Sequence, residues 1–199
     1  MKVLAICGSL RRASFNRLAL QAAVELAPQG MAVELFDTLK DIPPFDEDDF
    51  ALGFPPSVTR LRDAIRAADA ILFASPEYNF SISGVLKNAI DYASRGADQP
   101  FNGKPYSILS ASLGPVGGAR SQYDLRKVML YLNAHGLNKP EVFIGAAQSR
   151  FGEGGRLVDE PTRKILATHL LALQDHILWV KRANGTPLAG PATTAVPVR

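Results

Sequence analysis

The chain has 199 residues, of which 47% are hydrophobic and 21% are charged, and its formal net charge is only +3. This composition predicts one globular domain; it excludes a disordered chain, and the basic residues do not form the dense clusters of nucleic-acid-binding proteins. The single cysteine excludes an intramolecular disulfide framework, and the lack of a signal peptide or of an apolar run of about 20 residues predicts a cytoplasmic protein outside the membrane.

Five short apolar runs, each bounded by turn-forming residues, are predicted to be β-strands. They cover residues 2–7, 32–37, 70–75, 106–112 and 141–147. Apolar residues that recur every three or four positions predict a helix after each strand. The first helix contains Leu18, Ala22 and Leu26, and the next three cover 55–68, 84–94 and the region of 125–132. The last begins at a capping residue, Asp159, with Pro161 in its first turn.

This strict alternation predicts a parallel sheet covered by helices on both faces, a three-layer α/β/α sandwich. Two strand orders are common, the dinucleotide-binding order and the flavodoxin-like order 2-1-3-4-5. Gly8 is the one glycine of the first loop, so the G-x-G-x-x-G fingerprint is missing, and the G-x-x-x-x-G-K-[ST] motif is absent. We therefore predict a five-stranded flavodoxin-like domain over residues 1–182. Residues 183–199, rich in Pro, Gly, Ala and Thr, are predicted to form a flexible tail.

Polar residues are concentrated in the loop after the first strand, residues 8–16, which we call the first loop. Gly8 permits a tight exit from the strand, and Ser9, Ser14 and Asn16 add short polar side chains. The N–H groups at the start of the next helix favour an anion, and Arg11 adds a planar cation suited to phosphate. The loop predicts a phosphate site, although Ser14 or Asn16 acting only as a helix cap is the alternative.

The loop after the third strand, residues 75–84 (the second loop), is predicted to contact a flat ring. Pro76 stiffens the turn, and Tyr78 and Asn79 place an aromatic ring and an amide at the strand exit. Gly84 allows a close approach just before the next helix. A planar heteroaromatic ligand can lie against the backbone of 77–80 and the ring of Tyr78, and ordinary loop packing of Tyr78 and Phe80 is the alternative.

The loop after the fourth strand, residues 110–119 (the third loop), combines hydroxyls with glycines. Ser110 and Ser112 end the strand, and Gly114, Gly117 and Gly118 free the backbone for contact with a flat ligand. In the predicted order, strands 1, 3 and 4 are neighbours, and ligands bind at the carboxyl ends of strands where the order reverses. The three loops are therefore predicted to form one site.

A phosphate at the first loop and a flat ring at the other two describe flavin mononucleotide, FMN. The sequence closely resembles the NADPH-dependent FMN reductase family, in its chromate and quinone reductase branch. The motifs that carry the resemblance are "GSLRRASFN" (8–16), "PEYNFSISGVLKNAIDY" (76–92), "LGPVGGARSQYDLR" (113–126) and "NKPEVF" (138–143). The likeness extends from residue 1 to about residue 180.

The resemblance implies which residues bind FMN. At the phosphate end these are Ser9, Leu10, Arg11, Arg12, Ala13, Ser14, Phe15 and Asn16, and at the isoalloxazine ring Pro76, Glu77, Tyr78, Asn79, Phe80 and Ser112. It also implies a homodimer or homotetramer, with Arg120, Tyr123 and Glu141 at or near a subunit boundary. A solvated helix face is the alternative for these three residues.

The implied activity is that of an oxidoreductase in which NADPH or NADH donates hydride to FMN, and a quinone, chromate, an azo compound or free flavin accepts the electrons. Because FMN carries the chemistry, we expect no catalytic side chain. Two alternatives remain: a flavodoxin-like electron carrier, although such carriers are typically acidic, and a non-enzymatic regulatory module that binds a phosphorylated ligand. Arg11, Arg12 and Arg95 are candidates for recognising the 2′-phosphate of NADPH.

Other titratable residues give no pattern typical of catalysis or metal binding. His135, His169 and His176 are scattered, so we expect no metal site. Cys7 ends a buried strand and is predicted to be a small hydrophobic residue rather than a redox thiol. The acidic run at 46–49 is predicted to be a solvated loop.

Overall fold

The computed structural model describes residues 1–185. Its strands are β1 (Lys2–Cys7), β2 (Ala32–Phe36), β3 (Ala70–Ala74), β4 (Pro105–Ala111), β5 (His135–Gly136) and β6 (Val142–Ile144). Its helices are α1 (Phe15–Glu25), α2 (Glu47–Phe50), α3 (Pro56–Ala67), α4 (Gly84–Ala93), α5 (Ala119–Tyr131) and α6 (Glu160–Ala183). Short 3₁₀ turns cover Leu39–Asp41, Ala147–Ser149 and Glu153–Gly155.

The strand order confirms the sequence prediction. The sheet runs β2-β1-β3-β4-β5, all of its pairs are parallel, and β6 also pairs with β4. The fold is therefore the flavodoxin-like three-layer sandwich, with its order reversing between β1 and β3.

The position beside β4 is shared by two short strands, where the sequence predicted one strand over 141–147. β5 pairs with the start of β4, with His135 opposite Pro105, and β6 pairs with its end, with Val142 opposite Leu109. Between them lies Pro140, which has no N–H to donate to a sheet ladder. The interruption is consistent with that missing donor. β6 begins one residue after the predicted start at 141 and ends three residues before the predicted end at 147.

Side chains alternate between the two faces of the central strands, which explains the two halves of the core. On β1, Val3 and Ala5 pack in the cluster covered by α1 and α6, whereas Leu4 and Ile6 pack in the cluster covered by α3, α4 and α5. All residues of β3 and β4 are buried, as expected for parallel strands with helices on both sides. The loops at the carboxyl ends of these strands are thus held on a rigid base.

The predicted cap of the last helix lies within the described residues, but most of the predicted tail does not. Asp159 caps α6 as predicted, since its carboxylate accepts the N–H of Thr162 at 3.0 Å. The helix continues to Ala183, one residue into the predicted tail. The rest of that prediction lies in residues 186–199, outside the described residues.

Within residues 1–185, no helix is both long and apolar enough to cross a bilayer.

Candidate functional site

The first loop is fastened to the second loop by close backbone packing at Gly8. The N–H of Gly8 donates to the carbonyl oxygen of Ala74 at 2.8 Å, and the hydroxyl of Ser83 donates to the carbonyl oxygen of Gly8 at 2.5 Å. A Cβ at residue 8 would lie 3.0 Å from the Ser83 hydroxyl and 3.2 Å from Pro76. Glycine at residue 8 therefore permits this close approach, and these contacts fix the first loop against the second.

Ser14 is the N-cap of α1, the role that the sequence analysis gave as the alternative to phosphate binding. Its buried hydroxyl accepts the N–H of Arg17 at 3.4 Å. Ser9, also buried, accepts the N–H of Arg11 at 3.4 Å. Both hydroxyls thus shape the loop, and each retains a proton that it can donate to an anion.

Several backbone N–H groups of the first loop have no hydrogen-bond acceptor among the described residues, which indicates an anion site. Within residues 1–185, no acceptor is found for the backbone N–H groups of Leu10, Arg12, Ala13, Phe15 and Asn16. They lie next to the positive end of α1, where successive N–H groups form a concave anion-binding nest. This arrangement fits the predicted phosphate.

The side chain of Asn16 pairs with a distant segment of the backbone. Its side chain is 4% exposed, its Nδ2 donates to the carbonyl oxygen of Ala111, and its Oδ1 accepts the N–H of Ala111, each at 2.9 Å. This paired contact joins the start of α1 to the end of β4. The amide therefore braces the site, and the backbone N–H of Asn16 is the group available to a phosphate.

The charged and apolar side chains of the first loop lie at the surface. Arg11 is exposed, with its guanidinium carbon 5.4 Å from the centre of the Phe15 ring, and Phe15 in turn packs against Phe151. Arg12 is exposed, as is Leu10. The guanidinium groups can therefore reach an anion from the solvent side of the nest.

The second loop contains a tight turn that is strained. Tyr78 and Ser81 exchange two backbone hydrogen bonds of 3.0 Å, and the residues between them, Asn79 and Phe80, have φ of +51° and +68°. Positive φ at both central positions is typical of a type I′ turn, which usually contains glycine. For a bulky residue such as Phe80 this conformation is an outlier, and such strain tends to occur at functional sites. Tyr78 and Phe80 are 54% and 67% exposed.

Arg120, at the start of α5, connects the second and third loops. Its Nε donates to Oε1 of Glu77 at 2.6 Å and its backbone N–H donates to Oε2 at 3.0 Å. Its guanidinium carbon lies 4.0 Å from the centre of the Phe80 ring. Sequence reasoning placed Arg120 near a subunit boundary and missed this pair, although an acidic residue in one loop and an arginine after the neighbouring loop was the available signal.

The third loop is shaped by Gly117 and Gly118, which no other residue can replace without a shift. Gly117 has φ of +65°, and a Cβ there would lie 2.8 Å from the carbonyl carbon of Phe143. The hydroxyl of Ser110 donates to the carbonyl oxygen of Gly117 at 2.6 Å. The hydroxyl of Ser112, half-buried, donates more weakly to the carbonyl oxygen of Gly114 at 3.2 Å. Ser112 can therefore turn its hydroxyl toward a ligand at little cost.

Exposed apolar side chains from all three loops gather at the carboxyl edge of the sheet. They are Leu10, Tyr78, Phe80, Leu113 and Val116. β1, β3 and β4 are adjacent, so these loops are neighbours. A rim of this kind around a polar nest is typical of a site for a planar ligand with an anionic tail.

Arg95 lies elsewhere. Its Nε donates to the carbonyl oxygen of Asp91 at 2.9 Å, and its guanidinium lies over the ring of Phe45. These partners belong to the end of α4 and to the loop before α2, not to the three loops. The structure therefore does not bring Arg95 to the predicted site.

Tyr123 and Glu141 form a second small cluster beside the third loop. The ring of Tyr123 packs edge-on against Phe143, with the ring centres 6.3 Å apart. Glu141 accepts a hydrogen bond from Lys139 at 2.5 Å, and this bond lowers the pKa of the Glu141 carboxyl. The placement of these residues at a subunit boundary stays a prediction.

The remaining titratable residues do not join the site. Across residues 1–185, no three His, Cys, Asp or Glu side chains are placed to hold a metal ion. Cys7 is buried, which raises the pKa of its thiol, and its Sγ lies 3.6 Å from the carbonyl oxygen of Ser9. The candidate site therefore consists of backbone N–H groups, hydroxyls, arginines and exposed apolar side chains.

Comparison with known proteins agrees with this geometry. A family model described as NADPH-dependent FMN reductase matches residues 1–149. An NAD(P)H-dependent FMN reductase from Pseudomonas aeruginosa is 56% identical over 185 residues, which are 93% of this chain and 98% of the relative. A quinone reductase from Escherichia coli is 40% identical over 91% of this chain and 97% of its own length.

A solved structure is similar over nearly the whole described chain. FerB, a flavoenzyme NAD(P)H:(acceptor) oxidoreductase from Paracoccus denitrificans, superposes with a TM-score of 0.80 at 31% identity and covers 91% of this chain and 97% of its own. The resemblance stated from the sequence motifs is thus confirmed by sequence and by fold. The chain belongs to the NADPH-dependent FMN reductase family.

Proposed function

We propose that this protein is an FMN-dependent oxidoreductase that takes hydride from NADPH or NADH and passes electrons to a quinone. One observation carries the proposal. A nest of open N–H groups in the first loop lies at the same sheet edge as the strained, exposed turn at Asn79 and Phe80. The nest suits the phosphate of FMN, and the turn suits its ring.

The chain's residues fit FMN along its length. The backbone N–H groups of 10–16, the hydroxyls of Ser9 and Ser14, and the guanidinium of Arg11 would hold the phosphate. The segment from Pro76 to Phe80 and the hydroxyl of Ser112 would contact the isoalloxazine ring. Bound FMN supplies the two-electron chemistry that links a hydride donor to an acceptor.

The protein's own contribution is orientation and electrostatics. Arg120 holds Glu77 through two hydrogen bonds and lies against Phe80, which fixes the turn beside the ring. Backbone N–H groups of the third loop and the hydroxyl of Ser112 would stabilise negative charge on the bound ring. The exposed rings of Tyr78 and Phe80 give a flat acceptor an apolar surface. No side chain has to act as an acid, base or nucleophile.

The range of possible acceptors depends on their access to the flavin ring rather than on a dedicated acceptor pocket. A quinone, chromate, an azo compound or free flavin each needs only an open face of the ring. The relatives named quinone reductases favour the quinone. The formal charge of +3 argues against an electron carrier of the acidic flavodoxin kind.

We also infer that residues 1–182 act as a single FMN-binding domain that assembles as a homodimer or homotetramer in the cytoplasm. Self-association is supported by three exposed aromatic or apolar side chains of α5, Tyr123, Leu130 and Tyr131. Sedimentation of the purified protein tests the assembly, and a monomer at micromolar concentration would contradict it.

The function is tested with purified full-length protein reconstituted with FMN. We expect a yellow protein whose flavin is bleached anaerobically by NADPH or NADH and recoloured by a quinone, with continuous turnover when all three are present. Yellow protein that neither nicotinamide reduces would favour the electron carrier. Protein that cannot be reconstituted with FMN would favour the regulatory module. The flavin-free protein is the control for uncatalysed reduction.

A further inference from the structure

A cleft lies on the β2 side of the first loop, away from the second and third loops. It has a volume of about 320 Å³. It is lined by residues of the first loop, by Phe36 at the end of β2, and by Asp37, Leu39 and Lys40 in the segment that follows. β2 is on the far side of β1 from β3 and β4. The cleft therefore lies on the β2 side of the first loop, and it shares Ser9, Leu10, Arg11 and Arg12 with the segment assigned to the FMN phosphate.

The charge of this cleft is strongly positive. Arg11, Arg12, Arg17 and Lys40 line it, against one carboxylate, Asp37. The carboxylate is already used, because Arg17 donates to its Oδ1 at 2.6 Å. Within residues 1–185, neither Arg12 nor Lys40 forms an ion pair or a side-chain hydrogen bond. Free cations in a concave site raise the local concentration of anions.

The cleft offers more positive charge than one FMN phosphate requires. That phosphate is proposed to rest on the open N–H groups of the first loop, with Ser9, Ser14 and Arg11. Arg12 and Lys40 extend the positive surface from this loop toward β2. They suit a second phosphate, carried by another ligand bound at the same time.

The distance from the third loop to this cleft is within the length of a dinucleotide. From β4, which bears the third loop, to β2 there are three strand spacings, or roughly 14 Å. NADPH and NADH share a pyrophosphate, and they differ only in the phosphate on the adenosine ribose 2′-oxygen of NADPH. A cleft that favours a dianion at this distance would discriminate between them.

We propose that this cleft binds the ribose 2′-phosphate of NADPH, with Lys40 and Arg12 as its cations, and so makes the enzyme prefer NADPH to NADH. The inference rests on the proposed function, since it specifies the hydride donor of that same site. It assigns the discrimination to Lys40, in the segment after β2, and to Arg12, in the first loop, and it leaves no part in it to Arg95.

The test is a charge reversal at Lys40, which lies outside the segments assigned to FMN. With FMN-loaded Lys40→Glu and a soluble quinone as acceptor, we expect the KM for NADPH to rise about five-fold and the KM for NADH to change less than two-fold. Lys164→Glu, on the exposed face of α6, makes the same change in net charge and should alter neither. Asp37→Asn removes the carboxylate and should lower the KM for NADPH about two-fold.

Three results would overturn the proposal. Equal effects of Lys40→Glu on both nicotinamides would assign the cleft to the shared pyrophosphate. Weaker FMN retention in that variant would assign it to the flavin phosphate. Unchanged kinetics would leave the cleft without a role in donor binding.

A binding measurement separates this proposal from the proposed function. Titrated calorimetrically into FMN-loaded protein, adenosine 2′,5′-bisphosphate should bind more tightly than adenosine 5′-monophosphate, and Lys40→Glu should remove the difference. Equal binding of the two nucleotides would overturn the cleft assignment. If neither nicotinamide reduces the flavin, the function fails, and this comparison still decides what the cleft binds.

Discussion

Arg62 and Arg120 are used in similar ways in two regions of the molecule, and the surroundings differ. Both guanidinium groups lie over an aromatic ring, at 4.1 Å from the centre of Phe54 and 4.0 Å from that of Phe80, and both bind a carboxylate. Arg62 is 2% exposed and also donates to the carbonyl oxygens of Ala93 and Arg95. The side chain of Arg120 is about half exposed.

The difference in surroundings indicates that the region of Arg62 stabilises the fold and that the region of Arg120 serves a ligand. Around Arg62, a buried donor meets two backbone carbonyls and a carboxylate, so the region is satisfied and should mainly stabilise the fold. Around Arg120, the backbone is strained, apolar rings face solvent, and the nearby first loop leaves N–H groups open. Such features cost stability and are retained where a ligand uses them.

The largest effect is expected from Arg62→Met. Removing the guanidinium leaves the carbonyl groups of Ala93 and Arg95 without their donor, which should lower the free energy of unfolding by about 3 kcal/mol. Urea unfolding measures the loss, and FMN affinity of the folded protein should not change. Arg60→Met, on the exposed face of the same helix, should cost less than about 0.5 kcal/mol. A comparable loss of FMN affinity in Arg62→Met would break the division between the two regions.

At the opposite region, Ser14→Asp should affect the ligand and spare the fold. Asp is a good N-cap and its charge suits a helix N-terminus, so the stability of the flavin-free protein should hold. A carboxylate beside a phosphate repels it, and we expect FMN to bind about 100-fold more weakly, or roughly 2.7 kcal/mol. Fluorescence titration of FMN measures this. Retention equal to that of the parent protein would remove the first loop from the site.

The fold followed from the sequence where patterns are long. Alternating apolar runs and helical periodicity gave the strand order 2-1-3-4-5 and the positions of the five longer helices. β5 has two residues and α2 has four, too few to show a period. These elements depend on tertiary contacts, as in the pairing of His135 with Pro105, which sequence reasoning cannot see.

The site was harder to predict because its polar contacts join distant segments. Asn16 is a common cap and turn residue, and nothing nearby shows that its amide pairs with Ala111, which is 95 residues away. Glu77 and Arg120 are 43 residues apart. The segment around Asn79 and Phe80 has no glycine, so its type I′ geometry gives no turn signal. The residue types were sufficient to predict which loops form the site. The contacts between those loops are seen only in the three-dimensional structure.

His169 sharpens the comparison, because it is a buried polar group that the interior does not fully satisfy. Nδ1 lies 2.7 Å from the carbonyl oxygen of Pro140, and no partner within residues 1–185 meets Nε2. Burial lowers the pKa of His169 below its ordinary value of about 6.5. The unfolded chain therefore binds a proton more readily than the folded chain, and stability should fall as the pH decreases below about 6.5.

The size of this effect is at most about 1.4 kcal/mol per pH unit for one group. His169→Gln removes the titrating ring and should flatten the dependence of the unfolding free energy on pH between 6.5 and 5.5. Chemical unfolding at several pH values measures the slope. A slope equal to that of the parent protein would assign the acid sensitivity to other groups.

The smallest effect is expected at the strained turn, where two substitutions of Phe80 separate the strain from the ring. Phe80→Ala and Phe80→Gly both remove the ring from Arg120, but only glycine adopts a φ of +68° without penalty. The glycine variant should therefore be more stable than the alanine variant by about 0.5–1 kcal/mol. At Leu113, which is exposed in the third loop and has no positive φ, the order should reverse.

Urea unfolding of the four variants measures both differences. The same order at residues 80 and 113 would mean that the turn stores no strain, and the contrast with the Arg62 region would then rest on solvent exposure alone. Opposite stability orders at the two residues would show that the second loop contains a phenylalanine at residue 80 although glycine would be more stable there. That choice is understandable only if the ring is needed for contact with a ligand or with Arg120, because nothing in the stability of the turn itself favours it.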